Sequence, residues 1–103
     1  MNTTKSTYSV AELRDTLRPI FESAPVYKAV LFGSYARGEA NENSDIDILI
    51  DSRGELIGID FYGVLENIVT ALDKDVDLFE FCEVQRSPIL ADINSQGVVL
   101  YER

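Results

Sequence analysis

The chain has 103 residues, 46% of them hydrophobic, which suffices for one core and predicts a single domain over 1–103. Nine basic residues stand against 18 acidic ones, a formal net charge of −9, and this argues against direct nucleic-acid binding, which rests on cations meeting phosphates. There is no histidine and a single cysteine, Cys82, so an internal disulfide, an ordinary Cys/His zinc site and Ser-His or Cys-His nucleophile pairs are all excluded.

The opening MNTTKSTYSV lacks the apolar core of a signal peptide, and no apolar run reaches the roughly 18 residues of a membrane span. A cytoplasmic protein without membrane association is expected. Ser9-Val-Ala-Glu12 reads as a capping box that starts a helix from about Ser9 to Ser23. Val10, Leu13, Leu17, Ile20 and Phe21 recur at helical spacing, while Pro19 is expected to kink or break it. Tyr27 to Phe32, rich in β-branched and aromatic residues, predicts a first strand. Gly33-Ser34 ends it, and a short helical turn through Tyr35, Ala36 and Arg37 and the polar loop EANEN lead to a second strand, Ile46 to Ile50.

Ser52-Arg-Gly54 closes that strand, and residues 58–72 place Ile59, Val64, Leu65, Ile68, Val69 and Leu72 in a helical pattern. Val76 to Phe81 predicts a third strand, with Cys82 next to it as a buried small hydrophobe. Pro88 opens a last helix that Gly97 ends before a terminal strand, VVLY. Helices alternating with strands define an α/β chain, a sheet with helices packed against it.

Asp45 and Asp47 interrupt the second strand's apolar run. Alternation along a strand puts both carboxylates on one face and Ile46, Ile48 and Ile50 on the other. An isolated Asp-x-Asp commonly marks a strand with one solvated face. Here two carboxylates stand together on the open side of the sheet, where they repel unless a cation lies between them. Gly33-Ser34, directly after a strand and opening a helical turn, offers backbone N–H groups and a hydroxyl to a phosphate. Arg37 either faces phosphate or pairs with Glu39, and Gly38 caps the short helix. A phosphate cradle followed by a carboxylate claw is what metal-assisted nucleotidyl transfer requires, with Mg²⁺ as the favoured hard cation.

Gly33-Ser34, Ala36-Arg37-Gly38 and Ser44-Asp45-Ile-Asp47 resemble the signature of the nucleotidyltransferases of the DNA polymerase β superfamily. The short chain and its ending GVVLYER resemble the minimal nucleotidyltransferases within it, the MntA-like antitoxins encoded beside HEPN-domain toxins. The resemblance implies the α+β nucleotidyltransferase fold with a mixed sheet. It also implies a third carboxylate on a neighbouring strand, for which Asp73, Asp75 and Asp77 are at hand, and the family pattern selects Asp77 in Val76-Asp77-Leu78. Asp75 is expected at the solvated strand end, Asp73 at the end of the helix, and Glu80 on the other face.

On this resemblance Asp45, Asp47 and Asp77 are the catalytic residues and the ligands of two Mg²⁺ ions, and Gly33, Ser34 and Arg37 bind the nucleotide, ATP. The implied function is that of a type VII antitoxin: AMP transfer to a tyrosine of a HEPN ribonuclease, with which the chain would form a hetero-oligomer. A catalytically silent antitoxin that neutralises by binding is the alternative, and transfer to an RNA end or a small molecule is a third. The terminal Tyr101 is expected to pack or lie at the surface rather than to be modified.

Overall fold

The computed structural model describes residues 7–103, so the expectation about the first ten residues falls largely, at 1–6, outside the described residues. Helix α1 spans Val10–Glu22. Its capping box forms as the sequence predicts: the Ser9 hydroxyl accepts from the Glu12 N–H at 3.1 Å and Glu12 Oε1 accepts from the Ser9 N–H at 2.8 Å. Pro19 lies inside the helix without ending it. It is exposed, opposite the buried stripe Leu13, Leu17 and Phe21, so the Asp15 carbonyl that it leaves without a partner faces water.

The other elements follow as β1 (Lys28–Phe32), α2 (Ser34–Arg37), β2 (Ile46–Asp51), α3 (Ile59–Leu72), β3 (Val76–Glu80), α4 (Pro88–Gln96) and β4 (Val98–Glu102). The sheet order is β3-β2-β1-β4. β1 pairs antiparallel with β2 and with β4, whereas β2 and β3 run parallel, joined by the α3 crossover. The sheet is therefore mixed, as expected.

Strand alternation separates two hydrophobic layers. Beneath the sheet, Ala29, Leu31, Ile46, Ile48, Ile50 and Val76 pack against Leu13, Leu17 and Phe21 of α1 and Val64, Ile68 and Leu72 of α3. On the opposite face Val30, Phe32 and Leu49 meet Ile93 of α4 and Val84, with Phe79 and Phe81 alongside. The face that carries the carboxylates is thus open only at one end, a difference from the open side expected from β2 alone.

Two polar arrangements close the edges of the core. Glu80 is 3% exposed and its carboxylate accepts from both the hydroxyl and the N–H of Ser52, whose hydroxyl in turn accepts from the Leu56 N–H at 3.1 Å. The buried carboxylate is fully partnered, as its burial demands, and it ties the end of β2 to β3 and to the loop before α3. At the terminus the Arg103 guanidinium donates to the carbonyls of Phe21, Glu22 and Ala24 at 2.9–3.2 Å, placing a cation on the negative end of α1. Tyr101 packs its ring 5.6 Å from that of Phe21 and accepts from Arg103 Nε, an ordinary packing role.

Cys82 departs from expectation. β3 ends at Glu80 and a 3₁₀ turn, Phe81–Glu83, breaks the two-residue alternation, so the thiol is exposed rather than buried. Among the described residues no helix is long and apolar enough to cross a membrane.

Ile48 is fully buried at the centre of the lower layer, so Ile48→Ala is expected to cost about 3 kcal/mol. Exposed Ile59→Ala should stay within about 0.5 kcal/mol of wild type. Urea unfolding of the two variants measures both.

Candidate active site

The end of β1, the start of β2 and the first half of β3 bring the sequence-predicted residues to one end of the sheet. In the β2–β3 register Asp47 lies opposite Asp77, and in the β1–β2 register it lies opposite Phe32, the last residue before Gly33. Asp45 precedes β2 on the same side by alternation and is exposed. The Ile46 N–H donates to the Asp75 carbonyl at 3.1 Å, fixing where β2 begins against β3. The preceding loop is folded on itself: the Ser44 hydroxyl accepts from the Asn41 N–H and the Asn41 side-chain oxygen from the Asn43 N–H. Asp75 is exposed beyond the strand, and Asp73 caps α3 with φ 53°, as expected for both.

Gly33 has φ 74°, a left-handed region that favours glycine. An added Cβ would overlap the Asp47 carboxylate. Glycine is therefore needed twice over, for the sharp turn out of β1 and for the approach of Asp47. Ser34 then opens α2, whose first N–H groups have no intrahelical partner, and Gly38 caps the helix with φ 75°.

Burial, followed by the charge and hydrogen bond of Asp77 and then the charge of Asp45, pushes the Asp47 carboxyl up to about 6; Arg37 acts in the opposite direction. A carboxyl so crowded by anions is the electrostatic situation that a divalent cation relieves. Among the described residues, no three carboxylate or thiol groups form a metal cage by themselves. The donors fit a hard cation that takes one or two carboxylates and completes its shell with phosphate oxygens and water.

Of the two roles that its spacing leaves open, Arg37 makes the acidic pairing here. Its Nε donates to Glu39 Oε1 at 3.0 Å, and Nη1 lies 3.8 Å from Asp92 Oδ2 on α4. Its guanidinium is half-exposed, within electrostatic reach of Asp47. Asp92 was not singled out by sequence, because a contact spanning 55 positions leaves no local pattern.

The family described as "Polymerase beta, Nucleotidyltransferase" matches residues 15–103, and the chain belongs to it. A Methanocaldococcus jannaschii relative named "Putative protein adenylyltransferase MJ0435" is 32% identical over 84 residues, 82% of this chain and 88% of that protein. The protein adenylyltransferase MntA of Shewanella oneidensis is 42% identical over 50 residues, 48% of this chain and 36% of that protein. Among solved structures, a chain of a toxin–antitoxin crystal structure with AMP-PNP superposes with a TM-score of 0.70 at 26% identity, over 87% of this chain and 73% of that one. A chain from a complex of tri-AMPylated Shewanella oneidensis HEPN toxin with MNT antitoxin gives 0.65 at 21% identity, over 91% and 73%, a likeness of fold alone.

The pH dependence of stability has a defined sign. Asp47 titrates near 6 when folded and near the ordinary value of about 4 when unfolded, so the folded state holds the extra proton between them. Stability should fall as pH rises from about 4 to about 6, by on the order of 1 kcal/mol after allowing for the solvent on the open side. Asp77→Asn should flatten that fall and lower the Asp47 pKa, read by urea unfolding against pH and by carboxyl ¹³C shifts.

Proposed function

We propose that this chain is a protein adenylyltransferase that transfers AMP from ATP to a tyrosine of a HEPN ribonuclease toxin, and so acts as its antitoxin. The observation that carries the reading is the convergence of Asp47 with Asp77 across the parallel register while Gly33 seats against the Asp47 carboxylate. A packing role alone gives no reason for crowding three acids at one sheet end, beside a glycine turn that leads into a serine-opened helix. The names of MntA and of the Methanocaldococcus jannaschii relative support protein as the acceptor class. The likeness to the complex with AMP-PNP supports an adenine nucleotide as donor.

When bound, Mg²⁺, two ions in the family pattern, shields phosphate charge and acidifies the attacking hydroxyl. Asp45 and Asp47 would hold the cations and, through them, the triphosphate. The Gly33 backbone and the Ser34 hydroxyl would hydrogen-bond the terminal phosphates, and Arg37, released from Glu39, would add a cation to them. Asp77 accepts the proton of the acceptor tyrosine as its oxygen attacks the α-phosphorus. The bond from that phosphorus to the bridging oxygen breaks, pyrophosphate leaves, and AMP remains on the tyrosine.

The test is the intact mass of a HEPN-domain toxin from the same genome after incubation with this chain, ATP and Mg²⁺. Addition of one or more AMP units is expected, slowed about a hundredfold or more by Asp45→Asn with Asp47→Asn. An unchanged mass despite a stable complex would establish the silent, binding antitoxin instead. Labelling of RNA or a small molecule without the partner would move the acceptor class away from protein.

A further inference from the structure

Three of the four large hydrophobic side chains exposed among the described residues lie together where β2 leads into α3. Ile57 is 72% exposed, Ile59 88% and Tyr62 67%. They border two open grooves, one of about 330 Å³ running past Phe61 and Cys82, the other of about 390 Å³ between Ile59 and Pro25. The core stripe of α3 is Val64, Ile68 and Leu72, and Ile59 and Tyr62 lie off it, Tyr62 meeting only the Phe61 ring, edge-on at 5.7 Å, among the aromatic contacts of the described residues. The loop that carries Ile57 rests on the buried Ser52–Glu80 pairing and the Leu56 N–H bond, a fixed base rather than a loose tip.

The surroundings identify what can cover this patch. Glu55, Asp60, Glu66 and Glu83 are exposed around it, and α3 contains no lysine or arginine. The neighbouring base, Arg53, is stacked 4.1 Å over the Tyr27 ring. A second copy of this chain, meeting the patch face to face, would set acid against acid. An apolar surface ringed by lysine and arginine would bury the three side chains and neutralise their rim.

We propose that the Ile57–Tyr62 patch is a docking surface for the acceptor protein, gripped through apolar residues within a basic ring. Naming the acceptor as occupant rests on the transfer reading above. β2 separates the patch from the carboxylates, with the four residue steps from Asp47 to Asp51 alone spanning about 13 Å. Docking and chemistry therefore occupy opposite ends of one strand, and the acceptor is held at one while its tyrosine reaches the other.

Calorimetry of the full chain against the same HEPN-domain toxin tests this. Ile57→Ser with Ile59→Ser and Tyr62→Ser should weaken binding at least about tenfold, with unfolding and ATP binding unchanged. Glu55→Gln with Asp60→Asn and Glu83→Gln should make the affinity less sensitive to salt between about 0.05 and about 0.5 M. Unchanged affinity in the first variant, or no binding by wild type, overturns the assignment. Self-association of wild type that the first variant abolishes, with toxin binding intact, overturns it in favour of a second copy. Weakened binding without AMP transfer by wild type sinks the transfer reading and leaves the docking surface standing.

Discussion

The parallel pairing of β2 with β3 is the constraint on which the rest of the molecule depends. Neighbouring strands lie about 4.8 Å apart, so a register that sets Asp47 opposite Asp77 forces two carboxylates together. The resulting repulsion has to be offset elsewhere, and the same strand does so on its other face. Ile46, Ile48 and Ile50 are fully buried against α1 and α3, each contributing roughly 1.5–3 kcal/mol, against a penalty at Asp47 that solvent keeps smaller. A slip of one residue would turn the isoleucines to the site and the aspartates to the core. Register and chemistry are therefore one specification.

What stands above the sheet determines how much of it is site. α4 covers the far part of the carboxylate face through Ile93 against Val30 and Leu49, and its Asp92 meets Arg37 beside the open end. This second layer makes burial the largest contribution to the raised Asp47 pKa, ahead of either neighbouring acid. A fully solvated face would screen the same charges from one another. Arg37 is held between Glu39 and Asp92, so the positive charge nearest the claw is partly balanced by acids and offsets only some of the crowding at Asp47.

Much of this was legible in order along the chain because it depends on local rules. The capping box at Ser9, the turn at Gly33, the αL cap at Gly38 and the alternation from Asp45 to Ile50 each follow from residue type and spacing. Choosing Asp77 over Asp75 needed the family pattern, since both share a face, and the structure then sets Asp77 rather than Asp75 across from Asp47. What could not be read was non-local or one residue fine. Helix α4 roofing the carboxylate face, Asp92 reaching Arg37 and Arg103 capping α1 across some 80 positions leave no periodic signal. Cys82 was misplaced because β3 stops one residue earlier than its composition suggests, and a single step reverses inside and outside. Pro19 does not break α1, because its cost depends on whether the orphaned carbonyl can reach water, which exposure decides.

The net charge of −9 takes on meaning once it is placed on the fold. One concentration of acid lies at Asp45, Asp47 and Asp77, the other around Ile57, Ile59 and Tyr62 at the opposite end of β2. Among the described residues the bases nearest them have other partners as well: Arg53 stacks on Tyr27, Arg103 caps α1, and Arg37 pairs with Glu39 and Asp92 while still lowering the Asp47 pKa. On the readings proposed above, each end would be completed by positive charge from outside, cations with a nucleotide at the first and a basic surface at the second. Any ligand that binds the folded state alone stabilises it by RT ln(1 + c/Kd) at free concentration c. Groups this far apart with no shared partner contribute additively. On those readings the complex with both ends filled is more stable than the free chain, and the charge distribution favours it.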